Sequence, residues 1–222
     1  MSTSILEHND IVDLLKLTML IYNYGKDFSM KSGQDIEEFI GSLKKEENKH
    51  LLDNVNDLRK EVLYSLAESS PHGEILSFIN TEETDLQCAL TISHTKKRIN
   101  VIFRGSESKS DWYYDLKIFK HKLEEKFQND DNSVYVHLGF FEQLMNNGSY
   151  DKILKLVKEG LSEHGDYELF ITGHSLGGAL CTLFGYLLSC ELLNKVTVVS
   201  FASPRVGNED WKNTFDNKEN LI

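Results

Sequence analysis

The sequence feature that most constrains the fold is the pentapeptide Gly173-His174-Ser175-Leu176-Gly177, which has the G-x-S-x-G spacing of a nucleophile elbow. In an elbow, a sharp strand-to-helix turn carries a serine hydroxyl above the edge of a sheet. The flanking sequence fits, because residues 167–172 form a short apolar run of strand type and apolar residues repeat at helical spacing after the turn. Glycine is needed on both sides because neighbouring backbone comes too close there for a Cβ. We therefore predict Ser175 as a nucleophile.

Length and charge narrow the class of protein. The chain has 222 residues, of which 40% are hydrophobic and 27% charged, as expected of a globular domain able to bury a sizeable core. We expect one domain over residues 1–222, with a helical part at 1–75 and an α/β core at 76–222. The net charge of -11 disfavours nucleic acid and strongly anionic membranes as partners, since both need a basic face. It leaves neutral lipids and small esters open as substrates.

Cysteine usage and the N-terminal sequence bear on the compartment. Cys88, Cys181 and Cys190 are odd in number and lie in apolar segments, which favours free buried thiols over disulfides. The N-terminus lacks the basic start and apolar core of a signal peptide, and no run reaches membrane-spanning length. We therefore expect a cytoplasmic protein without a transmembrane segment. No metal-ligand spacing or cofactor motif occurs, so we expect no metal and no cofactor.

The order of elements predicts a helical start followed by alternating strands and helices. A first helix is expected from a cap at Asn9 or Asp10 to near Gly25, and further helical pattern runs over residues 35–69. Residues 117–131 are charged and low in strand signal, and we expect a mobile cover there. The predicted strands are 86–93, 98–103, 134–137, 167–172 and 196–201. The predicted later helices are 138–145, 151–161, the one that starts at Leu176, and 210–215.

Four separated stretches together resemble one family. They are Val-Ile-Phe-Arg-Gly-Ser at 101–106, Asp-Trp and Asp-Leu within 111–116, Val-His-Leu-Gly-Phe at 136–140, and the elbow followed by Phe-Ala-Ser-Pro-Arg-Val-Gly-Asn at 201–208. As an ordered set they are similar to the class 3, fungal-type triacylglycerol lipases, over roughly residues 88–215. The resemblance implies an α/β-hydrolase-like, mostly parallel sheet with flanking helices. It also implies hydrolysis of acylglycerols or related lipid esters, with transient contact to a lipid–water interface.

The resemblance also assigns roles to residues. Ser175 becomes the nucleophile of an elbow built from Gly173, His174 and Gly177, and the backbone N–H groups of Ser106 and Leu176 become the oxyanion hole. The segment after Asp111-Trp112 lies where the family carries its lid. Tyr113, Tyr114, Ile118 and Phe119 are either the apolar side of that lid or residues that pack on the sheet.

The sequence departs from the family pattern in its triad. A serine hydroxyl needs a histidine base and an orienting carboxylate after the elbow, yet no histidine follows His174. The triad aspartate and histidine are therefore unknown and expected beyond Ile222, which makes the sheet look truncated at its C-terminal side. Asp210 and Asp216 come too early for the triad acid. His174 is expected to point away from Ser175 and His137 to brace a loop.

The remaining histidines are predicted to be solvated surface residues. They are His8, His50, His72, His94, His121 and His164. Two functions remain open at this point. One is a serine esterase whose base lies outside these residues, either further along the chain or on a second polypeptide. The other is a catalytically impaired binding or regulatory protein on a lipase scaffold.

Overall fold

A mixed six-stranded sheet forms the centre of the computed structural model, which describes residues 6–68, 72–106, 120–127 and 133–222. Its strands follow the spatial order β1-β2-β3-β4-β7-β8, and β5 pairs with β6 in a separate two-stranded ribbon. The strands are β1 (Gln34–Asp35), β2 (Glu74–Thr81), β3 (Leu86–Ser93), β4 (Arg98–Phe103), β5 (Lys120–Lys122), β6 (Tyr135–His137), β7 (Glu168–His174) and β8 (Val196–Phe201).

Pairing changes direction at β4. Strands β1 to β4 pair antiparallel, whereas β4, β7 and β8 pair parallel. The parallel register places Phe103 beside Gly173 and Gly173 beside Ser200. The carboxyl ends of these three strands therefore meet at one edge of the sheet, directly at the predicted elbow. The α/β-hydrolase-like fold is confirmed, and the antiparallel half makes the sheet a mixed one.

Helices cover both faces of the sheet. They are α1 (His8–Leu20), α2 (Ile36–Ser42), α3 (Asp57–Leu66), α4 (Leu138–Met145), α5 (Ser149–Glu163), α6 (Leu176–Glu191) and α7 (Glu209–Asp216). Short 3₁₀ helices occupy Glu46–Leu52, Glu82–Thr84, Glu125–Phe127 and Asn146–Gly148. The bounds of β3, β4, β8 and α4 agree with those predicted from the sequence.

Two hydrophobic cores follow from the alternation of side chains along the strands. Val101 and Phe103 of β4 pack with α4, α5 and α6, whereas Ile102 of the same strand packs with the N-terminal helices α1 to α3. Ile75 and Ala89 also join the second core. The helical N-terminal part therefore shares its core with the sheet instead of having one of its own.

The start of α1 differs from the prediction. Neither Asn9 nor Asp10 caps the helix, because the N-cap is Glu7 and it makes no side-chain hydrogen bond to the first turn. The helix also ends at Leu20, earlier than the predicted end near Gly25. The Asp10 carboxylate instead accepts a 2.6 Å hydrogen bond from Arg98 at the start of β4. Asp10, one of the two predicted caps, therefore links α1 to β4 instead of capping the helix.

Three strands, β1, β2 and β5, were missed by the sequence analysis, and β1 is only two residues long. Strand β2 contains a bulge between Ile75 and Ser77, which shifts its register and breaks the simple alternation of apolar and polar residues. Strand β5 is only three residues long, Lys-His-Lys, and lies in the segment predicted as a mobile cover. It pairs with β6, so this part of the cover forms a small ribbon.

Burial of His72 contradicts the prediction that it is a surface residue. Its side chain is only 3% exposed, and its backbone N–H donates to the Glu37 carboxylate. Residues 13–17 of α1 and the ends of β3 and β4 surround it. Desolvation lowers the pKa of the imidazole to about 4. His72 is therefore neutral at ordinary pH.

The three cysteines are free, as predicted, and Cys88 and Cys181 are buried. Burial raises the pKa of both buried thiols, so they stay protonated. Among the described residues, no helix combines the length and apolar character needed to cross a membrane.

The outer edge of β8 pairs with the last residues of the sequence. The Val196 N–H donates to the Asn220 carbonyl at 2.8 Å, and the Ile222 N–H donates to the Val196 carbonyl at 3.0 Å. Leu221 forms a parallel bridge with Val196 and is itself buried. Residues 220–222 thus lie along the edge of β8, on the side where the sequence analysis expected the sheet to be truncated.

Candidate active site

Ser175 stands on a strained turn between β7 and α6. Its φ of 57° and ψ of -122° put a non-glycine residue at positive φ, which costs about 1–3 kcal/mol. The turn is held from the β8 side, because the Ser175 N–H donates to the Phe201 carbonyl at 2.9 Å. The Ser175 side chain is half-buried. The strained turn thus lies between a strand and a helix, at the position where the sequence motif predicts an elbow.

The two elbow glycines are required by close backbone contacts. A Cβ on Gly173 would lie 2.1 Å from the Gly177 carbonyl oxygen, and one on Gly177 would lie 2.2 Å from the Phe103 carbonyl oxygen. Both distances are far below van der Waals contact, and both involve backbone that cannot rotate away. Only glycine fits, so the turn can press the first residues of α6 against the end of β4.

The N-terminus of α6 places backbone N–H groups directly after the serine. The first hydrogen bond into the helix is donated by Gly178 to the Ser175 carbonyl at 2.9 Å, so the amides of Leu176 and Gly177 precede it. The Ser175 hydroxyl makes no capping bond to its own helix. Partial positive charge at this helix end favours a negative charge that develops beside Leu176.

The loop that carries Ser106 lies against the elbow. A Cβ on Gly105 would sit 2.5 Å from the His174 carbonyl oxygen, so the loop backbone touches the elbow backbone directly. Arg104 fixes the other side of the loop, with its N–H donating to the Gln87 carbonyl at 2.9 Å and its guanidinium to Asp85 at 3.0 Å. Ser106 is half-buried at the next position.

The His174 side chain points to the face of the sheet that carries α1. The ring Nδ1 lies 2.8 Å from the hydroxyl oxygen of Tyr22, and the two rings meet edge to face at 5.9 Å. Desolvation lowers the pKa of His174, so the ring is neutral near pH 7. The sequence analysis expected the His174 side chain to point away from Ser175, and its partner Tyr22 carried no sequence signal.

His137 binds backbone, as expected of a loop brace. Its ring Nδ1 accepts a hydrogen bond from the Gly139 N–H at 3.1 Å and so caps α4. Its own N–H donates to the Val206 carbonyl at 2.8 Å. His137 therefore joins β6 to the loop that follows β8.

The Pro-Arg-Val-Gly-Asn motif at 204–208 is a structural junction. The Asn208 side-chain oxygen accepts from the Trp211 N–H at 3.0 Å and from the Tyr135 N–H at 3.1 Å, so it caps α7 and holds β6. Its amide nitrogen donates to the Ser133 carbonyl at 2.6 Å. A Cβ on Gly207 would lie 2.5 Å from the Tyr135 carbonyl oxygen. The motif thus docks a helix and a ribbon beside the elbow.

Neither early aspartate lies free to orient a histidine. Asp210 accepts from the Ser133 hydroxyl at 2.6 Å at the start of α7. Asp216 pairs with Lys212 at 2.6 Å on the exposed side of the same helix. The described residues also contain no group of three or more metal-ligating side chains placed to hold an ion.

An open groove of about 440 Å³ lies beside the elbow, between β8 and α7. Thr182, Ser203, Arg205 and Trp211 are among the residues that line it, whereas Ser175 is not. We therefore do not identify this groove as the place where an ester meets the serine. The predicted lid residues Asp111, Trp112, Tyr113, Tyr114, Ile118 and Phe119 lie outside the described residues.

Comparisons with known proteins identify the family that this chain resembles in sequence. Residues 100–222 match the family model described as lipase, class 3. The chain is 33% identical over 136 residues to the phospholipase A1-Igamma2 of Arabidopsis thaliana, covering 51% of this chain and 26% of that protein. It is 32% identical over 133 residues to the secreted mono- and diacylglycerol lipase A of Penicillium cyclopium, covering 59% of this chain and 41% of that protein.

Solved structures support the fold over nearly the whole chain. The mono- and diacylglycerol lipase of Aspergillus oryzae superposes with a TM-score of 0.71 at 20% identity, covering 98% of this chain and 70% of that one. The Lip2 lipase of Yarrowia lipolytica superposes with a TM-score of 0.57 at 27% identity, covering 68% of this chain and 55% of that one. The chain spans less than half the length of the two curated relatives named above.

Proposed function

Because the chain belongs to the class 3 lipase family, we propose that it is a carboxyl-ester hydrolase that acts on lipid esters through Ser175. The observation that carries the proposal is the backbone of Ser175, held at positive φ between β7 and the N-terminus of α6. A serine held in this way presents its hydroxyl at the edge of the sheet. Relatives named as a phospholipase A1 and as a mono- and diacylglycerol lipase support an acyl ester of a lipid as the substrate.

The proposed reaction proceeds through an acyl-enzyme. The Ser175 Oγ bonds to the ester carbonyl carbon while its proton passes to a base, and the carbonyl oxygen becomes an oxyanion. The amide N–H groups of Leu176 and Ser106 stabilise the oxyanion, helped by the positive end of α6. The alcohol then leaves with a proton, and water attacks the acyl carbon, releases the acid and restores the serine.

The base is not assigned to either histidine beside the elbow. His174 is held by Tyr22 on the α1 side of the sheet, and His137 uses its Nδ1 to cap α4. Residues 176–222 contain no histidine. We therefore propose that the base and its carboxylate partner come from outside the residues described here.

Covalent labelling tests the nucleophile. A fluorophosphonate probe should form a bond between its phosphorus and the Ser175 Oγ with loss of fluoride, and mass spectrometry should place the added mass on the peptide that contains Ser175. Ser175→Ala should abolish the labelling while leaving the unfolding midpoint unchanged. A folded wild-type protein that stays unlabelled would contradict the proposed function.

A second function is favoured by the engagement of both nearby histidines in structural hydrogen bonds. Without a base, the same scaffold would bind a lipid or a partner protein with little turnover. Loss of triad members typically leaves a rate only about 10³–10⁴ times that of the reaction in water. Binding of a non-hydrolysable lipid ether that survives Ser175→Ala, together with absence of probe labelling, would select this function instead.

A further inference from the structure

Tyr22 is a buried tyrosine at the point where α1 ends, and its hydroxyl reaches the elbow. The residue is 7% exposed, and its hydroxyl oxygen lies 2.8 Å from Nδ1 of His174, the residue that precedes Ser175. The guanidinium of Arg59 from α3 lies over the Tyr22 ring at 5.6 Å. The tyrosine is thus held by the N-terminal helices while its polar end faces the candidate site.

The same hydroxyl also touches the loop of the proposed oxyanion hole. A Cβ on Gly105 would lie 2.1 Å from the Tyr22 hydroxyl oxygen and 2.5 Å from the His174 carbonyl oxygen. Three segments therefore meet at one atom: the end of α1, the loop that carries Ser106, and the elbow. A shift of the Tyr22 hydroxyl would move the elbow and the loop relative to each other.

The elbow needs support on this side. Its backbone is strained at Ser175, and a strained conformation persists only where the surroundings over-determine it. The β8 side supplies one bond, from the Ser175 N–H to the Phe201 carbonyl. On the opposite side, Tyr22 supports the elbow through its hydrogen bond with the His174 side chain.

We propose that Tyr22 is a positioning residue, which acts through His174 and Gly105 to set the distance between the Ser175 hydroxyl and the oxyanion donors. This inference rests on the proposed function, because it takes Ser175 as the nucleophile. Tyr22 touches neither the substrate nor the reacting atoms in this role. It affects the chemical step and leaves capture of the substrate unchanged, since misplacement of reacting groups slows reaction without removing binding surface.

Tyr22→Phe tests the role, because it keeps the ring and removes only the hydroxyl. We measure the rate of fluorophosphonate labelling at Ser175 against probe concentration, which separates the maximal rate of bond formation from the concentration that gives half of it. The maximal rate should fall about 10- to 100-fold in Tyr22→Phe. The half-saturating concentration should change by less than about twofold, since uniform binding is untouched.

Tyr24→Phe is the matched control. Tyr24 is a second buried tyrosine just after α1, and its hydroxyl donates to the Met30 carbonyl at 2.8 Å, away from the elbow. Both variants delete a buried hydroxyl that takes part in hydrogen bonding, so both should lose about 1–2 kcal/mol of unfolding free energy. Labelling should stay at the wild-type rate in Tyr24→Phe. An equal loss of labelling in the two variants would overturn the proposal.

A double-mutant cycle with His174→Ala tests the route. If Tyr22 acts partly through His174, adding Tyr22→Phe to His174→Ala should slow labelling by a smaller factor than Tyr22→Phe does in the wild-type protein, and the remaining effect is the part that acts through Gly105. Fully additive losses overturn that route, as does an unchanged rate in Tyr22→Phe alone. The outcome that refutes the proposed function is different, because then the folded wild-type protein is not labelled at all, and the inference fails with it.

Discussion

At the scale of single residues, the candidate site depends on positions where backbone approaches backbone. Gly177 is one such position, because its Cα faces the Phe103 carbonyl oxygen across the narrow gap between α6 and β4. The sequence motif predicted the need for glycine there. It could not predict that the opposing backbone belongs to the strand whose end leads into the Ser106 loop.

Gly177→Ala should therefore damage stability and labelling together. Its Cβ would lie 2.2 Å from a backbone oxygen, so β4 must move, and we expect a loss of about 2 kcal/mol or more in unfolding free energy. Urea unfolding measures the loss. Gly41→Ala is the control, because a Cβ at that position in α2 meets no atom within 4 Å and should raise stability by about 0.5 kcal/mol. Equal stability of the two variants would refute the conclusion that backbone contact requires glycine at position 177.

His72 makes stability depend on pH at the residue scale. Burial lowers its pKa to about 4, below the value of 6.5 expected in the unfolded chain. Between these two pH values the unfolded state therefore binds more protons than the folded state. The contribution of His72 to the unfolding free energy is complete above pH 6.5 and is lost as pH falls toward 4. From pH 7.5 to pH 5 the loss should reach about 2 kcal/mol.

The groups around His72 decide how this is measured. The charges of Asp13, Lys16, Lys96 and Asp35 act on the imidazole. Burial raises the pKa of nearby Glu37, so protonation of Glu37 adds stability as pH falls, opposite to the effect of His72. Urea unfolding at both pH values should therefore be compared between wild type and His72→Gln, which lacks only the imidazole. The drop should shrink in His72→Gln and persist in His94→Gln, whose side chain is exposed.

At the scale of elements, local pattern predicted those strands and helices whose burial is regular. Strands β3, β4 and β8 are short apolar runs bounded by turn residues, so their bounds were predicted correctly. Strand β2 was missed because its bulge breaks the alternation, and β5 because three polar residues carry no signal. The contact between Tyr22 and His174 joins residues 152 positions apart, beyond the reach of any local pattern.

Asn208 provides a prediction at this scale, because one side chain joins two elements. It caps α7 through the Trp211 N–H and holds β6 through the Tyr135 N–H and the Ser133 carbonyl. Asn208→Ala should lower the unfolding free energy by about 1–2 kcal/mol, as expected for loss of an N-cap. Asn217→Ala, at the exposed end of the same helix, should stay within about 0.5 kcal/mol of wild type. If urea unfolding shows a larger loss of free energy in Asn217→Ala than in Asn208→Ala, Asn208 does not join the two elements.

At the scale of the whole molecule, the N-terminal helices and the sheet are expected to unfold as one unit. The second core takes Ile75, Ala89 and Ile102 from the sheet, so α1 to α3 cannot bury their apolar faces without it. Polar contacts complete the same interface: Lys96 pairs with Asp13, and the Thr18 and Thr172 hydroxyls lie 3.3 Å apart. The Tyr22 contact at the elbow depends on this docking.

Arg98→Met should therefore destabilise the N-terminal helices and the sheet equally. Arg98 starts β4, donates to Asp10 of α1 at 2.6 Å, and lies over the Phe170 ring at 4.3 Å, with its side chain only 13% exposed. Methionine keeps much of the packing but removes the 2.6 Å hydrogen bond to Asp10, which retains a 3.9 Å ion pair with Lys96. The change should remove about 2 kcal/mol of unfolding free energy. Hydrogen exchange should show the same loss in peptides from α3 and from β7, because a shared core makes their opening a single event.

Lys97→Met is the control for this experiment. Lys97 neighbours Arg98, and its ion pair with Asp166 is mostly exposed on both sides, so its loss should change stability by less than about 0.5 kcal/mol. If Arg98→Met weakens protection in α3 while β7 keeps the wild-type value, the N-terminal helices open separately from the sheet. Tyr22 would then leave the elbow whenever they open, and labelling of Ser175 would follow the opening equilibrium instead of the global stability.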